Sequence, residues 1–147
     1  MIILGVIHLK GLPGSPSNKL NLEEITELAQ NDIDSLSKAG VNGIIVENFG
    51  DVPFVKNDVS KRTVASLTSV IQNLNIDSKL KLGVNVLRND GIAALSIAEA
   101  TNADFVRINV LNNVMMFTDQ GIIEGEANKI AQFNKSLNKN IDIYADV

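Results

Sequence analysis

The 147-residue chain contains no cysteine and no tryptophan, one histidine and one tyrosine. The lack of cysteine excludes a disulfide scaffold, a thiolate zinc site and a cysteine nucleophile, and is in keeping with a cytoplasmic location. With His8 as the single histidine, these residues cannot build a multi-histidine metal centre. Positive charge is in deficit: 13 Lys and Arg face 17 Asp and Glu, for a formal charge of −4. Nucleic-acid partners need basic surface, so none is expected. No apolar run approaches the ~20 residues of a membrane helix, so an integral membrane protein is not expected either. The run from Ile2 to Leu9 is interrupted by Gly5 and His8 and lacks a basic stretch, and does not read as a signal peptide. Short catalytic signatures are missing too: there is no glycine-rich phosphate loop, no dinucleotide fingerprint after the first apolar run, no His-Glu-x-x-His and no nucleophile elbow.

What is present is a regular alternation. With 45% hydrophobic residues, the chain can bury a real core. Ile2–Leu9 reads as a first strand from its β-branched content. The loop Gly11-Leu12-Pro13-Gly14-Ser15-Pro16 cannot be regular structure. Asn21 followed by Glu24 reads as a capping box, and Leu22, Ile25, Leu28, Ala29, Ile33 and Leu36 recur at helical spacing until Gly40. Gly43–Val46 is a second strand. Asp58 or Ser60 opens a second helix with Val64, Leu67, Ile71 and Leu74 on one face. Leu80–Leu87 is a third strand, and Asp90 caps a helix over Gly91–Ala100. Phe105–Val110 is a fourth. The stretch Leu111–Gln120 reads as a long loop, a candidate lid or ligand loop with an Asp119-Gln120-Gly121 turn; a helix then runs to Leu137, and Ile141–Asp146 is a fifth strand.

Four βα units followed by a strand imply a parallel sheet with helical crossovers. A (β/α)8 TIM barrel takes ~250 residues, so the expectation is a single incomplete barrel over 1–147, about its first five strands and four helices, as the N-terminal part of a longer chain. A small open flavodoxin-like sheet is the alternative, and a second copy of the chain completing the barrel is another.

Side chains alternate between faces along a strand. The parity that turns His8 and Val6 towards a barrel axis also selects Ile45 and Glu47, then Gly83, Asn85 and Leu87, then Arg107 and Asn109, then Tyr144 and Asp146. Polar groups thus collect near the carboxyl ends of the strands, where parallel α/β proteins bind ligands. The candidate catalytic residues are Glu47, His8 and Asp146, with Glu47 as general acid or base, His8 as proton shuttle and Asp146 as a second carboxylate. The candidate substrate-binding residues are Asn48, Asn85, Arg107, Asn109 and Asp119. If a divalent metal such as Mg²⁺ binds, Glu47 and Asp146 are its ligands. Each has a structural reading as well: Glu47–Arg107 as an ion pair, Asn85 as a backbone partner, Asp146 as a helix cap, and Asp51 and Asp90 as caps or turn residues.

Several stretches also carry a family resemblance. Gly5-Val6-Ile7-His8-Leu9 with Leu12-Pro13-Gly14-Ser15-Pro16, the run from Gly43 to Phe54, the run from Leu82 to Asp90, Thr118 to Gly125, and Ala145-Asp146-Val147 resemble the BtpA/SgcQ family in register along the whole chain. The resemblance implies a TIM barrel similar to the ribulose-phosphate-binding barrels, in chains longer than this one. The cyanobacterial namesake is associated with photosystem I assembly or stability. One departure stands out: Asn113 to Phe117 is more apolar than expected of the family. Two functions follow as expectations: an enzyme acting on a small phosphorylated, sugar-like or nucleoside-like metabolite by proton abstraction or aldol-type cleavage, or a non-enzymatic assembly factor using the barrel as a scaffold. A ligand-binding barrel without turnover is the third.

Overall fold

The computed structural model describes residues 1–112 and 115–146. Asn113, Val114 and Val147, and with them part of the expected 111–120 loop and the last residue of the Ala145-Asp146-Val147 match, lie outside the described residues. The elements are β1 (Leu4–His8), α1 (Leu22–Lys38), β2 (Gly43–Glu47), α2 (Lys61–Gln72), β3 (Lys81–Asn85), α3 (Gly91–Thr101), β4 (Phe105–Ile108), β5 (Met115–Thr118), β6 (Gly121–Glu124), α4 (Ala127–Ser136) and β7 (Asp142–Ala145).

Five strands form one parallel sheet in the order β1-β2-β3-β4-β7. The order follows the chain without reversal, which excludes the flavodoxin-like alternative, whose strand order turns back on itself. The four helices form a single layer in which α1 touches α2, α2 touches α3 and α3 touches α4. Their apolar stripes pack on one face of the sheet, against Ile7, Ile44, Val46, Val84, Val106 and Ile108. Burying one such side chain fully contributes about 1.5–3 kcal/mol. The helix α3 sits between two helical neighbours, so Ala93, Ala94, Leu95, Ile97 and Ala98 are all buried. Parallel sheets ordinarily bury both faces; here the opposite face carries no helix among the described residues.

Local signals act as expected. Asn21 and Glu24 form the reciprocal capping box of α1, and Ile25, Ala29 and Ile33 are its buried stripe, while Leu28 is exposed. Ser60, not Asp58, caps α2. Asp90 caps α3 through the Ala93 N–H and also accepts from Val59 N–H. The first strand is shorter than the Ile2–Leu9 expectation, with Ile2 and Ile3 exposed.

The Leu111–Gln120 expectation requires correction. After β4 the chain forms an antiparallel hairpin, β5 with β6, around Asp119-Gln120. The Thr118 hydroxyl closes the turn by donating to Gly121 O and accepting from Gln120 N–H. Ile123 is buried, whereas Met115, Met116, Phe117 and Ile122 are exposed. Four-residue strands are too short to show clear alternation, which is why the stretch reads as a loop.

Candidate functional site

The parallel register fixes which side chains meet. His8 lies beside Glu47 across β1 and β2, and Glu47 beside Asn85 across β2 and β3. Arg107 lies beside Tyr144 across β4 and β7. All five point to the face without helices. The carboxyl end of that face holds a continuous polar network. Arg107 donates to Asp146 through Nε at 2.9 Å and Nη2 at 3.0 Å, a bidentate pair. Its Nη1 reaches Glu47 Oε2 at 3.5 Å. Asn109 donates to Asp146 at 3.0 Å. Asn85 Nδ2 donates to the Arg107 carbonyl at 2.8 Å and to Asn109 Oδ1 at 3.2 Å. His8 Nε2 lies 3.9 Å from Glu47 Oε1.

Glu47 is the buried centre of this network, 3% exposed. Burial pushes its carboxyl above the usual range, and the nearby Asp146 adds to this. Arg107, His8 and Arg88 pull in the opposite direction without cancelling it. Asp146 behaves oppositely: the Arg107 hydrogen bond, helped by Asn109, holds it below the usual range. The environment thus separates two carboxylates on one face, one inclined to hold a proton and one kept ionised, the arrangement by which acid and base roles are divided. Asn85, 1% exposed, leaves its Oδ1 buried with no hydrogen-bond partner. Its amide donors are both used, so that oxygen is a buried acceptor left unpaired among the described residues.

Close packing below the network positions it. A Cβ at Gly83 would collide with the Phe105 ring, so glycine lets that ring lie flat across β3. Phe105 in turn stacks on Tyr144 with centroids 4.5 Å apart. At the loop ends, a Cβ at Gly50 would meet the backbone of Leu9 and Gly11, so glycine lets the loops after β1 and β2 touch. Gly50 N–H donates to Leu9 O at 2.9 Å across that contact.

Six sequence-expected residues therefore come together: His8, Glu47, Asn85, Arg107, Asn109 and Asp146. Two do not join them. Asn48 is buried and braces the loop after β3, accepting from Leu87 N–H and donating to Leu87 O and Asp51. Asp51 holds the proline-rich loop through Leu12 N–H. Asp119 is exposed in the hairpin turn. Among the described residues no cluster of three His, Asp or Glu side chains has metal-binding geometry, and the Arg107 guanidinium contacts both Glu47 and Asp146.

Sequence reasoning missed three neighbours. Phe49 stacks on His8 with centroids 4.2 Å apart, and Phe54 meets Phe49 edge-on at 6.3 Å. Arg88 lies over the Phe54 ring, 5.3 Å from its centroid. The signal was available, since all three belong to the stretches that carry the family resemblance, but alternation along strands says nothing about residues beyond the strand ends.

A singly wound parallel βα domain with a polar network at its strand ends is the class of protein defined by this fold. The chain belongs to the BtpA family, which it matches over residues 1–147. It is 50% identical to an uncharacterised protein of Thermococcus kodakarensis, across 99% of this chain and 55% of that protein. It is 44% identical to an uncharacterised protein of Methanocaldococcus jannaschii over the same shares, 99% and 55%. It is 42% identical to the photosystem I biogenesis protein BtpA of Synechocystis, across 99% of this chain and 50% of that protein. The chain thus spans about half the length of the curated relatives it matches. No solved structure matches it. No helix among the described residues is long and apolar enough to cross a membrane.

Proposed function

We propose that the network at the strand ends is an acid–base active site for a small phosphorylated, sugar-like or nucleoside-like metabolite, in a cytoplasmic protein whose further strands close the sheet into a (β/α)8 barrel. The observation that carries this reading is Glu47: a carboxylate buried on the uncovered face, with its proton affinity raised by burial and the Arg107 guanidinium and His8 imidazole beside it. Burying such a group is costly, and an apolar residue would serve packing better. The barrel is supported by the unreversed strand order and by relatives about twice as long.

In this reading Glu47 takes a proton from carbon next to a carbonyl, or from a hydroxyl in an aldol-type cleavage, and returns it later. Arg107, clamped by Asp146, is preorganised to stabilise the negative charge that develops nearby. His8, half exposed and stacked on Phe49, exchanges protons between Glu47 and solvent. Asn85 Oδ1 accepts a hydrogen bond from a substrate hydroxyl. A Mg²⁺ ion held by Glu47 and Asp146 would require Arg107 to leave its place and the rest of the ligand set to come from elsewhere in the full-length protein. Turnover by the full-length protein, assayed over phosphosugar and nucleoside panels with wild type and Glu47→Gln, tests the reading. Equal turnover in both removes Glu47 from the mechanism.

A second reading has its own support. The Synechocystis relative is named for photosystem I biogenesis, and the β5–β6 hairpin exposes Met115, Phe117 and Ile122, an apolar surface of the kind that meets other proteins. In this reading the domain is an assembly scaffold. Co-purification of a membrane complex that is lost on Phe117→Ser but kept on Glu47→Gln would favour it.

A further inference from the structure

We propose that Arg88 is the anchor of an oxyanion subsite, holding a phosphate or carboxylate group of a ligand whose body lies between the Phe49–Phe54 aromatic pair and Glu47. This rests on the strand-end network being a ligand site, but not on Glu47 doing chemistry there.

The cations of the site differ in what they already hold. Arg107 has its Nε and Nη2 bonded to Asp146 and its Nη1 turned to Glu47. Three of its five N–H donors are thus committed within the network, and its charge is shared between two carboxylates. Arg88 makes no ion pair among the described residues. Its Nε is buried with no hydrogen-bond partner. Buried donors are paired in nearly all structures, and a charged one left alone is especially unfavourable. Asn57 also leaves its Oδ1 buried without a partner, so the two orphan atoms do not satisfy each other.

The geometry around Arg88 is fixed on the other sides. Its backbone N–H donates to Val55 O at 3.1 Å, and its carbonyl accepts from Asn57 N–H at 3.0 Å. These bonds strap the loop after β3 to the loop after β2. The face of the guanidinium rests over Phe54, a cation–π contact that sets its plane. What remains without a partner is the in-plane edge, where Nε is enclosed. Nε and one Nη on that edge form the two-donor fork that matches a carboxylate or phosphate. Arg88, Phe54, Phe49, His8 and Glu47 follow one another in a single row of neighbours, so an anion held at Arg88 lies along the same row as the proposed acid–base group. Next to it, Phe49 is half exposed and stacked with His8, offering an apolar surface to the uncharged part of the ligand.

The test is a titration of the full-length protein with inorganic phosphate and, separately, malonate, at ionic strength held constant with chloride. The readout is the side-chain Nε–Hε resonance of Arg88, assigned by its disappearance in Arg88→Lys. The expected result is a saturable shift, with affinity at least tenfold weaker in Arg88→Gln and several-fold weaker in Phe54→Leu. Glu47→Gln, which removes a negative charge near the subsite, binds the anion at least as tightly as wild type, which separates failure of this subsite from failure of the acid–base reading. Saturation by phosphate alone assigns a phosphorylated ligand, and saturation by malonate alone a carboxylate. A resonance that neither anion moves saturably, or one that chloride moves as much, overturns the proposal. Should Arg88→Gln fail to fold, the wild-type titration still decides.

Discussion

On the helix-covered face of the sheet, β1 to β4 present Ile7, Ile44, Val46, Val84, Val106 and Ile108, all essentially without solvent exposure. On the other face β1 to β4, joined by the last strand, place His8, Glu47, Asn85 and Arg107, with Asp146 just past the end of β7. The backbone pairing is shared, so the difference lies wholly in the side chains. Apolar groups on the covered face contribute stability by leaving water. Glu47 and Asn85 on the other face have also left water, but the first is strained towards its neutral form and the second has an unbonded oxygen. Stability alone does not select such groups, and local departures of this kind concentrate at functional sites.

The sharpest contrast between the faces is in activity. Glu47→Gln is expected to lower turnover by about 10²–10⁴-fold, the usual contribution of a general acid or base, as measured on the substrate panel. Leu95→Ala on the covered side should do the reverse. It deletes a fully buried side chain in the central helix and is expected to cost about 2–5 kcal/mol, read as a lower denaturant midpoint with turnover per folded molecule unchanged.

Arg107→Met should have an intermediate effect, about 1 kcal/mol, because the pair it breaks with Asp146 is about a third exposed and screened by solvent, and its sign with pH is diagnostic. Asp146 has a lowered pKa in the folded protein. Its stabilisation is therefore present above the ordinary carboxylate range and is lost as pH falls through that range and below it. Wild type should show this acid limb in stability against pH, and Arg107→Met a smaller one, the remainder coming from Asn109 beside Asp146 and from Asp104 beside Lys81. The smallest effect is expected at the hairpin. Asp119→Ala, in an exposed turn, should change stability by no more than about 0.5 kcal/mol and leave turnover intact; a large loss of turnover would bring the hairpin into the site.

How much of this was legible in the sequence follows from the range over which each signal acts. The capping box at Asn21 and Glu24, the Asp90 cap and the helix stripes are local patterns, and they appear in the structure as read apart from Leu28, which is exposed. Strand parity is nearly local, and it gathered His8, Glu47, Asn85, Arg107, Asn109 and Asp146 correctly. Asn48 and Asp119 were placed with them because of their residue types and positions near strand ends. The structure separates them because Asn48 has the opposite parity and spends its hydrogen bonds on Leu87, and because a hairpin carries Asp119 to its turn. Arg88 and Phe54 come together through a loop-to-loop strap, which no periodicity encodes. The one-sided burial of the sheet was implicit in the unbroken βα order, but strand residues alone do not reveal which face stays open.

Glu47 is kept either for chemistry or for structure, and the stability of the protein without it at neutral pH decides between them. A carboxyl whose pKa is raised on folding binds its proton more tightly in the folded state, so its ionised form weakens the fold as pH rises from the ordinary carboxylate range to the raised value. Arg107 remains paired with Asp146 when Glu47 is gone. Denaturant unfolding of full-length Glu47→Gln at pH 7 should therefore give a midpoint equal to or above that of wild type. A loss of about 3–5 kcal/mol, the effect of breaking a structural buried ion pair, would contradict the account.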